Sequence, residues 1–166
     1  LNVTDTEKKI MTIVSIQEIK INCPRGKRLI GIDLGSKTIG LSLSDVSLMI
    51  ASPYKTLKKG KFTLDAKILK KIIDEETVFG LIMGLPLNMD GQEGPRCQAT
   101  RQFAENLLGV MDIEIAFWDE RLSTSAINRM LVDQIDMTRG RRNEVVDKLA
   151  ATYILQGALD YKLPNL

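Results

Sequence analysis

Four acidic residues stand where chains tend to place chemistry. Asp33 closes the apolar run KRLIGI, at the exit of what reads as a strand. Asp119 and Glu120 follow a second such run, IEIAFW. Asp147 lies in NEVVDKLAATYILQGALD, on one helical face with Ala151, Ile154 and Ala158. Each has an ordinary explanation. An aspartate at a strand end forms turns, and taken alone Asp33 reads that way. Asp119 and Glu120 could be a solvated loop, with Arg121 paired to a neighbour. An aspartate in the first turns of a helix complements the helix dipole. Two facts count against these explanations. Strand exits are where open α/β sheets place their sites. An unpaired carboxylate on an inward apolar stripe is costly to bury. Acids from two strand ends and one helix face form a set that repels itself unless cations bridge it. Two Mg²⁺ ions roughly 4 Å apart would do so, and would clamp the attacking and leaving oxygens of a phosphodiester displacement. Neighbouring strand residues face opposite sides, so Asp119 and Glu120 are not expected to reach one site together.

Composition narrows the chemistry. The 166 residues contain no histidine. That removes Ser-His-Asp, Cys-His and His-ligated metal mechanisms together. Carboxylates without imidazole suit a hard ion, Mg²⁺ or Mn²⁺, bound through oxygen. Cys23 and Cys97 form no CxxC pair, which argues against zinc and fits a reducing, cytoplasmic compartment. No apolar run is long enough to span a membrane, and no secretory signal pattern is evident. The net charge of +2 does not by itself announce a nucleic-acid binder.

The elements that must hold these acids follow from periodicity. Residues 1–25 are weakly patterned and read as an N-terminal extension, partly helical, before a single domain over 26–166. Residues 28–33 read as a strand. Ile39, Leu41 and Leu43 alternate as a second strand should, so Gly35-Ser36-Lys37 makes a hairpin turn. Residues 53–57 suggest a third strand, opened by Pro53. Leu64, Ile68 and Ile72 mark an amphipathic helix over 62–75. Val78–Met83 reads as a strand buried on both faces. Pro95 suits the first turn of a helix whose inner face is Ala99, Phe103 and Leu107. Residues 113–118 form another strand. Ser123 can cap a helix over 124–132. Asp133 to Arg142 reads as a loop, with Asn143 capping the last helix. The order β-β-β-α-β-α-β-α-α implies an α/β fold, a mixed five-stranded sheet with helices on its faces.

GIDLGSKT, residues 31–38, invites a phosphate-loop reading. Its spacing does not match Gly-x-x-x-x-Gly-Lys-Ser/Thr, and a strand rather than a helix follows it. Basic residues are more informative. TRGRR, with Arg139, Arg141 and Arg142, lies just before the Asp147 helix. Beside an acidic site it reads as a set of phosphate contacts. Lys37, Arg96, Arg101 and Arg121 extend that set. The loop PLNMDGQEG, which includes Asn88, is long enough to suggest a function and offers backbone N–H groups to phosphate. Aromatic content is only 5%, so recognition by shape and backbone is expected rather than base stacking.

GIDLGSKTIGLSLSD, GLPLNMDGQEGPR, DERLST and EVVDKLAATYILQ together resemble the YqgF family, which is related to the RuvC-type Holliday junction resolvases. The resemblance covers most of residues 27–161 and leaves the first 25 outside. It implies an RNase H-like fold. It also implies a nuclease that matures the 5′ end of precursor 16S ribosomal RNA or resolves Holliday junctions in branched DNA. It makes Asp33 the first-strand acid, Asp147 the last-helix acid and, by analogy with the resolvases, Glu120 rather than Asp119 the second acid.

Two other readings compete. GIDLGS also resembles the first phosphate loop of sugar kinases, heat-shock chaperones and actin. Those proteins place ATP between two related domains, and this chain has one such motif. A non-catalytic nucleic-acid-binding or ribosome-assembly module would keep the fold and the basic segment without needing metal. A two-fold junction would suit a homodimer, but no apolar stripe marks an interface.

Overall fold

The computed structural model describes residues 12–122 and 139–162. Five strands form one mixed sheet: β1 (Arg28–Leu34), β2 (Thr38–Ser44), β3 (Ala51–Lys58), β4 (Val78–Leu85) and β5 (Glu114–Asp119). Their order is β3-β2-β1-β4-β5. β1, β2 and β3 run antiparallel in sequence, while β4 and β5 are parallel to β1. This is the RNase H-like arrangement expected from the sequence. Helices α1 (Ile16–Asn22), α2 (Phe62–Glu75), α3 (Pro95–Leu108) and α4 (Arg139–Asp160) pack around it.

Alternation along β1 assigns the two faces. Ile30, Ile32 and Leu34 join Leu69, Ile72, Phe103 and Leu107 in the core under α2 and α3. Leu29 points the other way, into a second core with Ile16, Ile19, Ile82, Ile154 and Leu155 from α1, β4 and α4. Asp33 shares the α4 side, two positions on from Gly31 and four from Leu29.

Several local expectations change. β3 begins at Ala51, and Pro53 lies inside it. The proline is tolerated because β3 is an edge strand and its register shifts there. α2 has the expected limits but buries Ala66, Leu69, Ile72 and Ile73, leaving Leu64 and Ile68 exposed. α3 buries Cys97, Thr100, Phe103, Ala104 and Leu107, while Ala99 faces out. α4 starts at Arg139, so residues 139–142 are helical rather than loop and Asn143 is not its cap. Arginine is a good helix former, and a stretch without apolar periodicity concealed the first turn. Ser123 and the helix expected over 124–132 lie outside the described residues.

α1 is part of the body. Ile16 and Ile19 enter the second core, and the Val14 N–H donates to the Ile115 carbonyl at 2.8 Å. Lys20 Nζ donates to the carbonyls of Ala158, Leu159 and Tyr161 at 3.1, 2.9 and 2.8 Å, satisfying the C-terminal end of α4. Among the described residues, no helix is long and apolar enough to cross a membrane. Both cysteines are free.

Candidate active site

Asp33 is the sheet's contribution. Across the antiparallel pair its partner is Gly40 on β2. On the other side, β4 pairs Met83 with Ile32, which brings Gly84 alongside the next position. Asp33 is thus flanked by two residues without side chains, and both gaps are filled from outside the sheet. A Cβ on Gly40 would lie 2.2 Å from the Asp147 carbonyl oxygen and 3.1 Å from its Cβ. A Cβ on Gly84 would lie 2.2 Å from Glu120 Oε1. The glycines let α4 and the turn after β5 bring their acids down onto the strand that carries Asp33.

The electrostatics follow from that crowding. Burial pushes Asp33 up to about 6, the Asp147 charge adds to this, and Arg96 opposes it. Glu120 is pushed up to about 7, first by burial and then by the Asp33 charge, with Arg96 again opposing. The two carboxyls are hydrogen-bonded to each other. Two carboxyls this close disfavour ionising together, so each raises the other's affinity for a proton.

Asp147 is held differently. Thr38 Oγ1 donates to its Oδ2 at 2.5 Å. One helical turn on, Ser42 Oγ donates to the Ala151 carbonyl at 2.6 Å and fastens α4 to β2. Neither Thr38 nor Ser42 stood out in the sequence. Their signal was there, in hydroxyls spaced as in TIGLS on one face of β2. Asp119 closes β5 while Glu120 opens the turn that follows it, and the Asp119 charge still reaches Glu120. Asp119 accepts from the Arg121 guanidinium at 2.6 to 3.0 Å and from the Arg121 N–H at 3.0 Å, which hold its carboxyl below the usual range.

The basic residues divide. Arg96, in the first turn of α3, acts on both Asp33 and Glu120. Arg101 is bound to Glu93 and stacked over Phe117. Arg121 is committed to Asp119. Lys37 is exposed at the hairpin turn, and Asn88 is exposed in the turn that follows β4. The side chains of Arg139, Arg141 and Arg142 lie outside the described set. The phosphate-loop reading finds no support, because Gly35–Lys37 is a hairpin turn that leads into β2.

The family model for RuvX, described as a Holliday junction resolvase, matches residues 27–161. The chain belongs to the RuvX family. A relative from Rhodospirillum rubrum is 55% identical over 150 residues, covering 90% of this chain and 93% of its own. One from Paramagnetospirillum magneticum is 56% identical, covering 90% and 96%. Both bear the name "Putative pre-16S rRNA nuclease". Among solved structures, T. thermophilus RuvC in complex with a Holliday junction substrate is similar with a TM-score of 0.49 and 9% identity. The similarity covers 80% of this chain and 93% of that one.

The donor set of this RuvX-family chain fits a hard divalent cation in kind: oxygen ligands only, with two carboxyls already in contact. Among the described residues, no three acid, thiol or imidazole side chains are arranged as a finished metal cage. Asp147 is engaged by Thr38 instead, so Asp33 and Glu120 are the pair best placed to receive an ion.

Proposed function

We propose that this chain is a metal-dependent endonuclease that hydrolyses phosphodiester bonds in structured nucleic acid, and that its substrate is precursor 16S ribosomal RNA at the 5′ end. The observation that carries this reading is the convergence of three acids: Asp147 fills the gap over Gly40 and Glu120 the gap over Gly84, on either side of Asp33. Half-buried like-charged acids with raised pKa values are a costly feature for a purely structural protein to keep. The names of the relatives support the choice of RNA.

Asp33, Glu120 and Asp147 would hold Mg²⁺ or Mn²⁺, which would supply positive charge to the scissile phosphate and help to ionise the attacking water. The chain's own residues set the stage. Glu120, held above the ordinary carboxyl range by burial and the Asp33 charge, would ionise readily once a cation offset that repulsion, releasing its proton to solvent. Arg96 offsets the repulsion between the acids and an incoming phosphate. Thr38 keeps Asp147 oriented, and Gly40 and Gly84 keep the floor of the site flat. Free thiols are in keeping with a cytoplasmic setting.

The test is cleavage of a precursor 16S transcript in Mg²⁺ or Mn²⁺, with the 5′ ends of the products mapped. Wild type should yield a defined end, and Asp33→Asn and Glu120→Gln should lose at least a hundredfold in rate. Identical trace cleavage by wild type and Asp33→Asn would sink the catalytic reading. The family description favours one alternative, resolution of four-way DNA junctions. The same variants on a synthetic junction decide between the two substrates.

A further inference from the structure

A cleft of about 500 Å³ opens beside the acids, between the β1–β2 turn and the first turn of α3. Gly35, Ser36, Lys59, Pro95, Arg96 and Thr100 line it, and no acid does. Lys59 follows β3 and is tied to the turn through its backbone, donating its N–H to the Lys37 carbonyl at 2.9 Å. Its half-buried side chain reaches back, with Nζ 3.5 Å from the Gly35 carbonyl. Neither Lys59 nor Arg96 makes a salt bridge among the described residues. Most other well-placed cations nearby are spent: Arg101 on Glu93 and Arg121 on Asp119.

We infer that this cleft is a phosphate subsite, in which Lys59 and Arg96 grip a backbone phosphodiester of the substrate strand next to the one being cut. This rests on the proposed nuclease reading and locates one end of its substrate. Arg96 belongs to both places, since it lines the cleft and acts on Asp33 and Glu120. Gly35 lies two residues beyond Asp33, so the cleft opens at the same end of β1 as the acid, within reach of a strand whose scissile phosphate sits there. Leu34, Pro95 and Ala99 give it an apolar wall against which a ribose can lie. Two cations outside any salt bridge among the described residues, facing an open volume next to an acidic centre, suit a polyanion that the acids alone would repel. The contact is to the backbone, so it positions the strand and reads no sequence.

The experiment measures binding, kept separate from cleavage. Asp33→Asn protein is titrated against a fluorescein-labelled RNA spanning the 5′ end of mature 16S RNA, over a series of KCl concentrations. Adding Lys59→Ala should weaken binding roughly three- to tenfold and flatten the slope of log K against log salt by about 0.7–0.9. Lys59→Arg should retain most of the affinity. Lys67→Ala, an exposed lysine on α2, should change neither quantity. Unchanged affinity and slope in Lys59→Ala overturn the subsite, as do equal effects from Lys59 and Lys67 or no RNA binding at all. Melting temperatures verify that each variant is folded. If protein with intact Asp33 fails to cut while Lys59 still governs binding, the nuclease reading falls and the subsite stands.

Discussion

At the scale of single residues, the acids cost stability before they perform any chemistry. Asp33 and Glu120 have folded-state pKa values of about 6 and about 7, above the ordinary 3.8 and 4.5. A carboxyl raised in this way keeps its proton in the folded protein at a pH where the unfolded chain has released it. Stability is therefore greatest below about pH 4 with respect to this pair, and falls as pH rises through about 7. Neutral substitution should remove that penalty. Glu120→Gln should raise metal-free stability at pH 7.5 by on the order of 1–3 kcal/mol and flatten its pH dependence, measured by urea unfolding. Mg²⁺ should stabilise wild type more than this variant. Thr38 makes a second prediction at the same scale. Thr38→Val removes the hydroxyl that fixes Asp147, so cleavage should need a several-fold higher Mg²⁺ concentration. Thr38→Ser should restore the wild-type requirement. A metal titration of activity for the three proteins checks both statements.

At the scale of elements, close approach of α4 to the sheet decides where Asp147 lies. A Cβ added at Gly40 meets backbone, which cannot swing aside as a flexible side chain can. Gly40→Ala should lower the melting temperature by several degrees and cut activity even in protein that remains folded. Thermal unfolding with a single-turnover cleavage assay checks this. The same elements show what the sequence could reveal. The limits of α2, Phe62–Glu75, were legible because its apolar spacing and length agree. Its buried face was misread, since Leu64 and Ile68 sit at helical spacing from Ile72 yet the sheet covers the flank with Ala66, Leu69 and Ile73. Tertiary packing chose between two adjacent stripes that local periodicity leaves nearly equal. Strand alternation ends at Asp119, since Glu120 lies in the turn after β5, and the choice of Glu120 came from family resemblance. The two glycines beside Asp33, Gly40 and Gly84, carried no signal in the sequence, because close approach needs a partner that is distant in sequence. A capping box, Ser15 with Glu18, could have announced α1, with the Ser15 side chain accepting from the Glu18 N–H at 3.1 Å and Glu18 accepting from the Ser15 N–H at 2.8 Å.

At the scale of the whole molecule, α1 and α4 share one face of the sheet and hold each other in place. Ile19 is fully buried against Gly80, Ile82 and the α4 core. Ile19→Ala should cost about 2–5 kcal/mol in urea unfolding. Lys20→Met should cost less, since part of the lysine is exposed, and should loosen the C-terminal turn of α4 first, as amide exchange there would report. Lys20 joins positions 138 to 141 residues apart. That span has a consequence for timing. α4 is the last of the described helices to be made, and until it docks the sheet beneath Asp33 lacks its cover and α1 has only the sheet to close against. A ribosome translating this protein therefore holds an incomplete nuclease, with Asp33 and Glu120 already synthesised and Asp147 not yet delivered. The proposed activity therefore depends on the order of synthesis: its three acids come together only once α4 has been made and has docked.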